Sequence, residues 1–143
     1  MMSERKVKFN FQGLAKKTGS TMIVKRFKIP IYDYNVTLVE AESKEDVSKI
    51  EIILKRETIN KEDVNEIIQE LTEGKFNGAY TYRNMRYRTF TVFLFPMKSK
   101  LKRLNILGHE KRHIEDRIAE HNSINDIETM GYLAGFLTEK LFT

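Results

Sequence analysis

The stretch SKLKRLNILGHEKRHIEDRIAEH, residues 99 to 121, decides how the rest of the chain is read. Ser99 is of the type that caps helices, no proline follows it before His121, and Leu107, Ile114 and Ile118 recur at helical spacing. One long helix is expected from Ser99 to about His121. With Leu104 at zero and about 100° per residue, the three apolar residues fall at about 280–320°, while His109, His113 and Asp116 fall at about 120–180°. The histidines therefore lie opposite the core stripe.

Working outward, Asn122-Ser-Ile-Asn is a polar turn, and Ile127, Met130, Ala134, Leu137 and Leu141 place a second helix from Asp126 to Leu141. Upstream, residues 77–83 and 87–95 are aromatic and β-branched runs around a short polar connection, which predicts a hairpin ended by Pro96. Ser43-Lys-Glu-Asp and Asn60-Lys-Glu-Asp are capping-box patterns that start amphipathic helices over about 44–56 and 61–73, the second stopped by Gly74. Residues 22–27 and 29–40 read as strand, break at Pro30, strand. The expected fold is α+β: a small mixed sheet with a hairpin, then a long site-bearing helix and a C-terminal helix packed against it. Residues 1–20, rich in Lys with Gly13 and Gly19, read as a basic, partly mobile arm, and residues 21–143 as a single domain.

Composition bounds the chemistry. With 41% apolar and 31% charged residues in 143, the chain is of the globular class. No run approaches the roughly 20 apolar residues of a spanning helix and no apolar segment follows the N-terminal charges, so no membrane association is expected and the cytoplasm is the expected compartment. Without cysteine, only His, Asp and Glu are available as metal ligands. The net charge of +5 is uneven: residues 75–117 carry eleven Lys/Arg against three acids, and residues 31–74 five against twelve. Such a basic face attracts an acidic substrate, an acidic partner or nucleic acid.

Zinc hydrolysis needs imidazoles or carboxylates converging on the ion, an open position for water and a base beside that water. His109 and His113, four apart on a helix, can reach one ion, with Glu110 alongside as base. A solvated face reads the same way from an isolated histidine pair. The intervening Glu110 and the acid downstream favour the metal. Glu128, early in the next helix, is the expected third ligand, although Asn125-Asp-Ile-Glu is also a capping box with Glu128 as its acid. Gly131 and Gly135 lie on nearly the same helix face as Glu128, which suggests close approach to the histidine helix. Asp116 is a candidate to orient an imidazole, with solvent exposure the plainer reading. His121 is an alternative ligand or a C-terminal cap, and Tyr132 and His121 are candidate donors to an oxyanion.

His109-Glu-Lys-Arg-His followed by Asp126-Ile-Glu-Thr-Met-Gly-Tyr-Leu-Ala-Gly-Phe resembles small proteins of phages and mobile elements that carry an HExxH helix and then an E-x-x-x-Y-L-x-G helix, themselves similar to the glutamate-ligand zincin metallopeptidases. Ile29-Pro-Ile-Tyr and the 77–95 hairpin are similar to the strands those proteins place ahead of the helix. The resemblance implies zinc at His109, His113 and Glu128, Glu110 as base, a peptide or protein substrate, and strand 87–95 as the edge on which an extended peptide pairs. Lys111 and Arg112 depart from it, since that helix usually has uncharged residues there. At about −20°, Lys111 points into the core stripe.

A rival reading starts from Tyr80, Tyr82, Arg83, Arg86, Tyr87, Arg88 and Phe90, where aromatics and cations interleave as in single-strand nucleic-acid binders. Period-2 alternation of a half-buried hairpin, with Tyr inside and Arg in solvent, gives the same pattern and is the stronger expectation. A non-catalytic protein on a zincin scaffold is a third.

Overall fold

A computed structural model describes residues 4–9, 22–41, 47–57, 60–73, 78–97 and 99–143. Its centre is a five-stranded mixed sheet of β1 (Glu4–Phe9), β2 (Met22–Ile29), β3 (Tyr34–Glu40), β4 (Ala79–Asn84) and β5 (Thr89–Leu94), in the order β1-β2-β3-β5-β4. β1, β2 and β3 form an antiparallel meander, β4 and β5 the expected antiparallel hairpin, and β3 joins β5 in parallel. Within the expected basic arm over 1–20, the backbone of Glu4–Phe9 pairs with β2. Ser43 and Gly74, expected to start and stop helices, lie outside the described residues.

The break at Pro30 is longer than the sequence suggests. Residues 30–33 turn back on themselves, with Ile31 and Asp33 at φ 73° and 59°, so β3 starts at Tyr34. A left-handed β-branched residue is costly. Contacts across the sheet hold the turn: Arg88 Nε donates to the Asp33 carbonyl at 3.3 Å, its Nη2 donates to the Tyr32 carbonyl, and its guanidinium lies 4.3 Å above the Tyr34 ring.

Both faces of the sheet are covered. α1 (Val47–Arg56) and α2 (Lys61–Thr72) bury Ile50, Ile53, Leu54, Val64, Ile67 and Leu71 against Val24, Val39, Phe93 and Phe95. α3 (Lys100–His121) and α4 (Ile127–Phe142) bury Leu107, Ile114, Ile118, Leu133, Leu137 and Leu141 against Phe27, Val36, Leu38, Phe90 and Val92. Strand alternation sends neighbouring residues to opposite layers, which is why β5 reads as a continuous apolar run. The expected caps at Asn60 and Ser99 are present: the Asn60 side chain accepts from the Glu62 and Asp63 amides, and Ser99 from Lys102 N. Among the described residues no helix is long and apolar enough to cross a membrane.

Lys111 does enter the interior, and its partner explains how. Its ammonium donates to Glu115, one turn on and only 3% exposed, so a half-buried lysine neutralises a buried carboxylate. An unpaired charge there would carry a large desolvation penalty.

Candidate metal centre

The site is built where α3 crosses the hairpin. Ala79, Thr81 and Arg83 sit opposite Leu94, Val92 and Phe90 in the strand pairing and share their face, so β4 presents these three to α3. Glu110, 6% exposed, is turned toward the strand, and its Oε1 accepts a hydrogen bond from Thr81 Oγ1 at 2.7 Å. His109 and His113 project from the rim of the same flank. Their Nε2 atoms face each other at 3.0 Å, with the rings nearly perpendicular at 87°. A ligand atom from each of His109, Glu110 and His113 lies within 4.8 Å of the other two. Ala79, Tyr80, Thr81, Arg83 and Phe90 of the hairpin and Arg117 of α3 close a cavity of about 360 Å³ around them.

The group could hold a metal ion, and its two imidazoles are donors of the type zinc takes, one short of the three protein ligands usual in catalytic sites. Two imidazole nitrogens each ~2.0–2.1 Å from one tetrahedral zinc stand about 3.3–3.4 Å apart, a few tenths of an ångström more than the spacing between these Nε2 atoms. Among the described residues the two imidazoles hydrogen-bond only each other. Glu110 stands about 100° around the helix from His109 and about 60° from His113, beside the pair rather than in line with it. Thr81 holds one carboxylate oxygen of Glu110, which lines the cavity.

Other residues singled out by the sequence are placed elsewhere. Glu128 is exposed on the first turn of α4 and does not join the His109–Glu110–His113 group. The start of α4 also differs from the expected capping box. Asp126, not Asn125, caps α4, its side chain accepting from Thr129 N at 2.9 Å, so Glu128 is not the closing acid of a capping box. The buried stripe of α4, Leu133, Leu137 and Leu141, then leaves Glu128, Gly131, Tyr132 and Gly135 on the outward face. A Cβ at Gly131 or Gly135 would meet nothing within 4 Å, so these glycines mark no close helix approach. Tyr132, the expected oxyanion donor, is 73% exposed on that face and is not among the residues lining the cavity.

His121 is structural: its Nδ1 shares a hydrogen bond with the buried Tyr34 hydroxyl, which also accepts from Asn122 Nδ2 at 2.9 Å. Asp116 pairs with Arg112 at 3.2 Å rather than with an imidazole. Strand 87–95 is not an edge, because β5 lies between β3 and β4, and the edge beside the site is β4.

Sequence reasoning missed Thr81 and Arg117. The signal for Thr81 was the alternation that puts Tyr80 and Tyr82 on one face of β4 and Thr81 on the other. Those tyrosines pack toward α1 and α2. Burial and a hydrogen bond to Glu70 push the Tyr80 phenol up to about 12, and burial followed by the nearby Asp63 and Glu66 charges raises Tyr82, whose hydroxyl is buried without a partner among the described residues. With Phe90 also in the core, three of the four interleaved aromatics are packed inside and only Tyr87 is exposed. No protein-family model, curated protein or solved structure matches the chain.

Proposed function

We propose that the protein is a zinc-dependent hydrolase of the metallopeptidase type, holding the ion through His109 and His113 and using Glu110 as the proton acceptor. The supporting observation is the convergence of two imidazole Nε2 atoms with a buried, hydroxyl-held carboxylate over one cavity. Zinc bound there supplies a Lewis acid that acidifies water and polarises a carbonyl. The chain does the rest. Thr81 fixes one oxygen of Glu110, so that the other is the oxygen that takes a proton from the attacking water and returns it to the leaving amine. The sheet and α3 exclude solvent from Glu110 on one side, while both histidines remain accessible from the other. A peptide or protein substrate, the zincin kinship and a mobile-element setting rest on the HExxH resemblance.

Metal-free protein should take up one zinc. His109→Ala and His113→Ala should weaken uptake by more than about tenfold, since even changes outside the ligand set cost that much in zinc sites. Glu110→Gln should keep the ion but lower cleavage of a fluorogenic casein by about 10²–10⁴-fold. A Glu110→Gln protein that loses zinc as His109→Ala does would make Glu110 a ligand and refute the base. Wild-type protein without zinc uptake would refute the site.

A further inference from the structure

We infer that the cavity is built to take an oxyanion of its substrate, a carboxylate or a phosphate, on the guanidinium groups of Arg83 and Arg117. The inference rests on the metal reading for the reaction but on separate residues for the binding. Arg83 comes from the edge strand β4 and Arg117 from α3, one turn beyond His113, and both line the cavity that holds Glu110 and the histidines.

Their partners are few. Arg83 is exposed and has no hydrogen bond or ion pair among the described residues. Arg117 meets Glu120 through a single 3.5 Å contact, with the glutamate side chain 77% exposed. A guanidinium offers five donors in a planar fork, so each arginine keeps most of its donors, although Arg83 also borders a second pocket that holds Glu57 and Asp63.

Four other arginines are committed to protein partners. Arg103 is bonded to Glu40, Arg88 to the carbonyls of the 30–33 turn, Arg112 to Asp116 and Arg26 to Glu57. Arg83 and Arg117, with few partners of their own, thus meet at the candidate centre.

The charge balance argues in the same direction. Imidazole ligands in zinc sites ordinarily donate their second nitrogen to a carboxylate or carbonyl, which orients the ring and offsets the ion's charge. His109 and His113 have no such acceptor among the described residues, and the cavity's single acid, Glu110, already accepts from Thr81. Two arginines and a dication facing one acid leave an excess of positive charge that an anionic substrate group neutralises. Arginine forks bind carboxylate and phosphate through paired, charge-assisted hydrogen bonds, which fixes orientation as well as charge. The substrate class is therefore acidic: a peptide with a carboxylate near the bond to be cut, or a compound with a phosphate in that position.

The test uses metal-free protein, so that it does not depend on catalysis. Sodium acetate and inorganic phosphate are titrated separately while amide and arginine Nε–H resonances are followed by NMR. Shifts should centre on residues 79–83 and 109–117. Arg83→Gln and Arg117→Gln should each weaken the responsive anion at least fivefold, and the double variant should abolish its binding. Arg112→Gln, on the solvent side of α3, should leave it unchanged. A response to acetate assigns a carboxylate source, and a response to phosphate alone assigns a phosphoryl source.

Zinc titrations accompany these. Arg83→Gln and Arg117→Gln should bind zinc at least as tightly as wild type, because a neighbouring positive charge has been removed. Neither anion shifting the cavity resonances, or the double variant binding them like wild type, overturns the inference while leaving the metal site standing. Loss of zinc affinity in either arginine variant also overturns it, since the arginine would then support the ion rather than the substrate. Anion binding without zinc uptake would instead refute the metal reading alone.

Discussion

Replacing Thr81 by Val tests the link between β4 and α3. The hydroxyl donates at 2.7 Å to a carboxylate that is 6% exposed, so its loss strips a buried charge of its donor with little change of shape. Hydrogen bonds to charged groups are worth about 1.5–3 kcal/mol, and no cavity is opened because valine nearly matches threonine in outline. The expected loss is therefore about 2 kcal/mol. In urea, with a slope of about 2 kcal/mol/M, the midpoint should fall by about 1 M. The melting temperature of a chain this long should fall by roughly 6 °C. A double-mutant cycle sharpens the assignment: in the Glu110→Met background, where no acceptor remains, Thr81→Val should cost less than about 0.5 kcal/mol. A single variant within about 0.5 kcal/mol of wild type, or equal costs in both backgrounds, would refute the claim that Thr81 holds Glu110.

Three further outcomes follow from the same contacts. Lys111→Met leaves Glu115 buried without its ammonium and should destabilise by about 3–5 kcal/mol, whereas Lys111→Met with Glu115→Leu should be neutral or stabilising; chemical denaturation of both separates a pairing role from simple packing. Gly131→Ala and Gly135→Ala, facing open space in the interior of α4, should each stabilise by about 0.5–1 kcal/mol in thermal melts, and destabilisation at either would show that something covers this face. The side-chain and backbone hydrogen bonds from Thr129 hold Asp126 below its ordinary value of 3.8. Its contribution is then present above about pH 4 and lost as pH falls through the lowered folded value, so helicity followed from pH 7 to 2 should show an acid-sensitive component that Asp126→Asn flattens.

Local patterns made much of the fold legible. The phase of α3 placed the histidines off the core stripe, Ser99 and Asn60 were recognisable caps, and alternation in 79–94 gave the hairpin with its tyrosines inward. What the sequence could not supply was the order of the sheet. Which flank of α3 meets which strand depends on β5 pairing in parallel with β3, which leaves β4 at the edge under the histidines, and no local signal encodes that. The facing of α4 is hidden for the same reason: Leu133, Leu137 and Leu141 form a buried stripe whose direction only packing reveals, and the glycines opposite it are exposed. Lys111 breaks the apolar pattern of α3, and its reason is the buried Glu115 four residues on. The left-handed turn at Ile31 contradicts local preference and is held by Arg88, distant in sequence.

The parallel seam between β3 and β5 also bears on how the molecule assembles. Its partners, from Asn35 with Thr89 to Glu40 with Leu94, lie roughly fifty residues apart, so pairing them closes a long loop before any contact rewards it. The meander β1–β3 and the segment from β4 through α3 can each gather from near neighbours. Long-range pairings form more slowly than local ones, and the seam is expected to close last. Every residue lining the candidate centre belongs to the second of these pieces, between Ala79 and Arg117. In pulsed hydrogen exchange, amides of the β4–β5 hairpin should gain protection before those of β3 facing β5; the reverse order would show that the seam guides the hairpin instead of receiving it.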